Sequence, residues 1–123
     1  MLTHFDIWDA NVFVEFAAGS VRVEGLIDPE RAFWGDPYAD FAVMGLSGDI
    51  EEDPDFLAAY RVAGGVAAFT PAVRLRLACY RIYLFLIMIV EGTPRGYTGP
   101  AHERRTAGWR RRLDADLAAV ETG

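Results

Sequence analysis

The chain of 123 residues contains no lysine, so its formal positive charge rests on 12 arginines. Cysteine is as scarce, with Cys79 alone, and histidine is limited to His4 and His102. One thiol excludes an internal disulfide and a cysteine-built metal cluster, and the setting this implies is a reducing cytoplasm. Long apolar runs are missing as well. The longest, "IYLFLIMIV" from Ile82 to Val90, falls well short of the roughly 20 residues that a membrane span needs, so no membrane association is expected. The N-terminus has no basic stretch leading into an apolar one and carries no targeting signal of that kind. No repeat of 20 to 50 residues and no low-complexity tract breaks the chain, which argues against a solenoid and against disorder.

What is present is apolar content of 52%, enough for one compact domain over residues 1–123 and too short a chain for two. The net charge of −6 is unevenly spread. Residues 1–60 hold 13 acidic side chains against two arginines, and residues 61–123 hold five against ten. An acidic first half suits a metal ion or a cationic small molecule and disfavours nucleic acid. The arginines of "ERRTAGWRRRL" fall mostly off the helical face formed by Trp109, Leu113, Leu117 and Val120, so they are read as a solvated outer face and not as a phosphate-binding stripe. Cys79 lies in an apolar helical run and is read as a small buried hydrophobe.

The fold class expected is α+β and mainly α, a small β-hairpin packed on about three helices. "NVFVEF" and "VRVEGLI" are β-rich stretches joined by "AAGS", the signature of a hairpin. The helical part spans 53–123. Asp53 before Pro54 and Thr70 before Pro71 each pair a capping side chain with proline at the first helical position. Gly64-Gly65 ends the first of these helices, and Gly92 with Pro94 ends the second after about twenty residues. The second half of that helix is apolar all round, which predicts the buried centre of a bundle. "TPRGYTGP" is turn chemistry leading into the last helix, near whose start His102 is expected at the surface.

The residues that carry chemistry lie in 1–30. The segment "HFDIWDAN" puts Asp6 and Asn11 five residues apart immediately before the first strand, and "GLIDPE" puts Asp28 just after the second. The two ends of a hairpin lie close together, so Asn11 and Asp28 should meet at one point with the Asp6 carboxylate nearby. An amide oxygen and a carboxylate are the hard donors that Mg2+ accepts from a protein while phosphates and water complete its shell. A carboxylate beside them is placed to orient an acceptor hydroxyl and take its proton. His4 is read as a scaffold group that holds this loop by hydrogen bonds, with general-base action as the alternative.

These residues, with "LIDPERAFWGDPYADFA" after the hairpin, resemble the catalytic core of the aminoglycoside phosphotransferase family, part of the kinase-like superfamily that also holds choline and fructosamine kinases. Asp6, Asn11 and Asp28 match, in order and spacing, the aspartate, asparagine and metal-binding aspartate of the phosphoryl-transfer template. The resemblance implies Asp6 as catalytic base, Asn11 and Asp28 as Mg2+ ligands, ATP as co-substrate, and Asp36 and Asp40 of "GDPYADFA" as braces of the loop. The pattern departs from commoner ones in Phe5 between His4 and Asp6 and in Pro29 after Asp28; the latter resembles the fructosamine-kinase branch.

Such kinases carry an N-terminal lobe with a phosphate-covering loop and a lysine that grips the phosphates. Met1 stands three residues before His4 and lysine is absent, so the resemblance covers only a C-terminal lobe, and the expectation is a truncated phosphotransferase inactive by itself. Its partners would be a small-molecule acceptor and either the missing lobe or a second copy. In "GDIEEDPDF", Glu51, Glu52 and Asp55 offer an acidic rim for an amine-bearing acceptor; the competing reading is that these charges serve the helix start. Trp34 and Tyr38 are read as packing on the hairpin, with lining of the acceptor pocket as the alternative. Two other functions fit the residues: a non-catalytic interaction module that kept the fold, and a metal-dependent phosphate-ester hydrolase using Asp6, Asp9 and Asp28.

Overall fold

In the computed structural model of the chain, which describes residues 1–46 and 48–122, two compact units are formed, Met1–Ala67 and Ala68–Gly123. The first runs β1 (Leu2–Thr3), β2 (Val12–Ala17), β3 (Ser20–Leu26), β4 (Phe33–Trp34), α1 (Tyr38–Met44) and α2 (Pro54–Val62). The second is a pair of helices, α3 (Pro71–Val90) and α4 (Pro100–Thr122). The fold is α+β and mainly α, as the sequence predicts, with four α-helices among the described residues.

Strands β2 and β3 pair antiparallel from Val12 opposite Leu26 to Ala17 opposite Ser20, with a bulge between Phe13 and Val14. The two-residue turn places Ala18 at φ 49° and Gly19 at φ 81°. Positive φ at both central residues is the mirror-image turn that matches strand twist, and it is costly for a residue with a Cβ. Ala18→Gly is therefore expected to raise stability by about 0.5 kcal/mol in urea unfolding; a loss of stability would contradict this account of the turn. On one face of the hairpin Glu15 and Glu24 both pair with Arg22, at 3.3 and 2.6 Å. The other face carries Val14, Phe16, Val21 and Val23, all exposed.

Strands β1 and β4 form a second antiparallel pair, with Thr3 opposite Phe33 and Leu2 opposite Trp34. The alternation of strand side chains decides their fates. Thr3 is fully buried, and its hydroxyl donates to the Phe33 carbonyl at 2.9 Å. Trp34 on the opposite face is 81% exposed, which corrects its reading as a packing residue. Tyr38 packs within its own helix, edge-on against Phe41 at 5.2 Å between centroids, and not on the hairpin as read. Phe41 is the hub of this unit's core and also meets Phe56 and Tyr60 of α2 at 5.3 and 5.1 Å. Asp53 caps α2 by accepting from the Phe56 amide at 2.9 Å.

In the second unit Thr70 caps α3 through the Val73 amide, and the helix is 20 residues long. Val73, Leu77, Leu84 and Phe85 are buried on one side of it. On α4 the inward face is formed by Trp109, Leu113, Asp116 and Val120; Leu117 is 42% exposed. The sequence-predicted face thus takes Asp116 in place of Leu117, because Arg81 of α3 binds the Asp116 carboxylate with Nε at 3.0 Å and Nη2 at 2.6 Å. His102, near the start of α4, is half-buried, 5.8 Å from the Tyr97 ring and over Gly92, where a Cβ would lie 2.8 Å from its Cε1. That corrects its surface placement.

The prediction that the second half of α3 is enclosed on all sides also fails. Tyr83, Leu86 and Val90 are exposed, and so is Cys79. One partner helix covers one face of α3, and an all-round apolar sequence does not by itself supply partners for the others.

Candidate active site

Four residues before the short 3-10 turn Asp9–Asn11, the chain turns sharply at Phe5, a buried residue at φ 57°. That left-handed conformation is unfavourable for a bulky side chain by roughly 1–2 kcal/mol. Two features of α1 and β4 hold it. The Asp40 carboxylate accepts from the amides of His4 at 3.1 Å and Phe5 at 2.7 Å, and the Phe5 ring packs edge-on against Phe33 at 5.8 Å. The next side chain along is Asp6.

Asn11 is buried, and its Nδ2 donates to the Asp6 carbonyl at 3.0 Å and to Asp6 Oδ2 at 3.3 Å. Both amide hydrogens being directed at Asp6, the polar atom left to Asn11 is its oxygen, the one a hard cation takes. The Asn11 main-chain carbonyl accepts from the Ile27 amide at 3.0 Å, closing the hairpin one residue before Asp28. His4 reaches the same place from the other side, donating Nε2–H to the Ile27 carbonyl at 2.9 Å. A carbonyl can only accept, which fixes a proton on Nε2. Asp28 itself is exposed and left-handed, at φ 60° and ψ 58°; aspartate tolerates that region, and Pro29 after it disfavours the ordinary helical one.

His4, Asp6 and Asn11 are thus joined by hydrogen bonds to each other or to the residue before Asp28. Asp40 lies beneath them, and Asp36 accepts from the Tyr38 amide at 3.2 Å, at the start of α1. The acidic stretch further on does different work: Asp49 accepts from the Glu51 amide and Asp53 from that of Phe56, while Glu52 and Asp55 are exposed and Glu51 is half-buried. Among the described residues, no three His, Cys, Asp or Glu side chains converge as a metal cage.

Sequence reasoning missed Arg31. Its guanidinium lies 3.5 Å from Asp6 Oδ1, with both side chains mostly buried. The available signal was its position, three residues past Asp28 in a turn opened by Pro29, as one of two arginines in an acidic half.

The sequence profile of the phosphotransferase enzyme family matches residues 1–77, the stretch that contains every one of these groups. The chain belongs to this family. No curated protein and no solved structure matches it. The helical pair α3–α4 lies mostly beyond the matched stretch. No helix among the described residues is long and apolar enough to cross a membrane.

Proposed function

We propose that the chain is the C-terminal catalytic portion of a kinase-like, ATP-dependent small-molecule phosphotransferase that moves the γ-phosphoryl group to an acceptor hydroxyl. The observation that carries this reading is the Asn11 bridge: its side chain binds Asp6 at 3.0 and 3.3 Å, and its main chain binds Ile27, the neighbour of Asp28. One residue thereby ties Asp6 to the end of the hairpin that leads into Asp28.

In this reading Asp6 orients the acceptor hydroxyl and accepts its proton. Its carboxylate is held for that task by Asn11 on one oxygen and by Arg31 on the other. The Asn11 oxygen and the Asp28 carboxylate fit Mg2+, two oxygen donors being the usual protein share when nucleotide phosphates supply the rest. The ion, when bound, neutralises charge on the phosphates. Asp40 keeps the loop in register, and the exposed Glu52 and Asp55, with Glu51 beside them, would favour an acceptor bearing an amine. These 123 residues offer no lysine to grip the phosphates, so binding of Mg·ATP without turnover is the expectation for the chain by itself.

The test is a calorimetric titration of Mg2+ and ATP into the chain and into Asp28→Asn. Saturable, Mg2+-dependent binding, weakened at least about tenfold by the substitution, is expected. Equal affinity of the two proteins, or no binding by a folded chain, would dismiss the assignment.

A further inference from the structure

Several arginines of the chain already have a partner. Arg22 meets Glu15 and Glu24, Arg31 meets Asp6, Arg81 meets Asp116, Arg95 meets Glu91, and Arg112 lies over the Phe85 ring at 5.4 Å. Arg110 and Arg111 of α4 are exposed and have no ion-pair partner among the described residues. They fall off the contact with α3, as the sequence predicts, but with His102, Glu103, Thr106 and Ala107 they line a groove of about 480 Å³ on α4. That volume suits a small molecule.

One wall of the groove is set in advance. His102 is seated over Gly92 and edge-on to Tyr97, and its buried Nδ1 has no hydrogen-bond partner. A proton there would be a buried donor without an acceptor, so the neutral ring carries it on Nε2 and donates it to Thr106 Oγ1 at 3.4 Å. Thr106 keeps its own hydroxyl proton to give, and nothing among the described residues accepts it.

We infer that this groove binds a small molecule carrying both a phosphate monoester and an ammonium group. Two guanidiniums offer paired N–H donors and two positive charges, which match the oxygens and the charge of a phosphate dianion, and the Thr106 hydroxyl adds a further donor. Glu103 lies seven residues before Arg110, about 10 Å along the axis, and the groove residues between them, Thr106 and Ala107, have short side chains. Glu103 does not pair with either arginine across that gap. A ligand bearing one group of each sign bridges it, its ammonium on the carboxylate and its phosphate on the arginines. No residue of the groove lies in the stretch matched by the family profile, and nothing in it depends on the nucleotide-binding assignment.

Calorimetric titration of phosphoethanolamine into the full chain is the test, with ethyl phosphate and ethanolamine as probes that each keep one of the two charges. A single saturable site with a dissociation constant of about 1 mM or below is expected, and each single-charge probe should bind at least about tenfold more weakly. The double variant Arg110→Ala, Arg111→Ala should weaken phosphoethanolamine at least about tenfold, and Glu103→Gln should bring it level with ethyl phosphate. All three side chains are exposed, so these variants should keep the helical circular dichroism of the parent. Absence of saturable binding, or an affinity unchanged in the double arginine variant, would overturn the proposal. Ethyl phosphate binding the parent as tightly as phosphoethanolamine would overturn it as well, since Glu103 would then have no part in recognition.

Discussion

Asp40→Ala is expected to lower the stability of the unit that holds it by about 3 kcal/mol. The substitution removes an acceptor that serves two main-chain donors, His4 at 3.1 Å and Phe5 at 2.7 Å. Hydrogen bonds to an ionised group contribute roughly 1.5–3 kcal/mol each, and both donors lie in a part-buried loop with little water to replace the carboxylate. The same two bonds keep Phe5 at a positive φ, so their loss lets the loop relax toward ordinary backbone and carries Asp6 out of line with Asn11. Amide exchange gives the direct reading: His4 and Phe5 should exchange far faster in Asp40→Ala, and Mg·ATP binding should fall with them. Asp40→Asn retains one acceptor oxygen and should lie between. Unchanged protection of the two amides would mean that the loop is held by the Phe5–Phe33 contact and not by Asp40.

Features that follow from local chain geometry are legible in the sequence. A hairpin brings its ends together whatever surrounds it, and the Ile27 amide accordingly donates to the Asn11 carbonyl at 3.0 Å. Capping is equally local, and Asp53 and Thr70 stand where the sequence puts them. Contacts set by what packs against a residue were not legible. Arg31 reaches Asp6 only because a turn after Asp28 folds it back. Trp34 and Thr3 fall on opposite faces of a pair two residues long, too short for an alternation to be read. Cys79 and Leu117 are interior residues on apolarity alone, yet both are exposed, because burial needs a partner surface as well as an apolar side chain. Asp116 is the converse, a buried charge between α3 and α4 that its partner Arg81 explains.

The Arg81–Asp116 pair should respond asymmetrically to loss of either member. Asp116 is the more enclosed, with its side chain 12% exposed against 29% for Arg81. Arg81→Ala leaves a carboxylate between two helices without its fork of donors and is expected to cost about 3 kcal/mol. Asp116→Leu leaves a longer side chain whose head can move toward water, and it adds apolar contact at an inward position of α4, so about 1 kcal/mol is expected. In the double variant Arg81→Met, Asp116→Leu neither charge remains to be desolvated. Its stability should return to within about 1 kcal/mol of the parent or exceed it, giving a strong non-additive term in the cycle. Urea unfolding of the four proteins, followed through helical circular dichroism, measures all three quantities. Additive losses would show that the two side chains contribute separately; a double variant as weak as Arg81→Ala would show that the ion pair supplies stability that packing cannot replace.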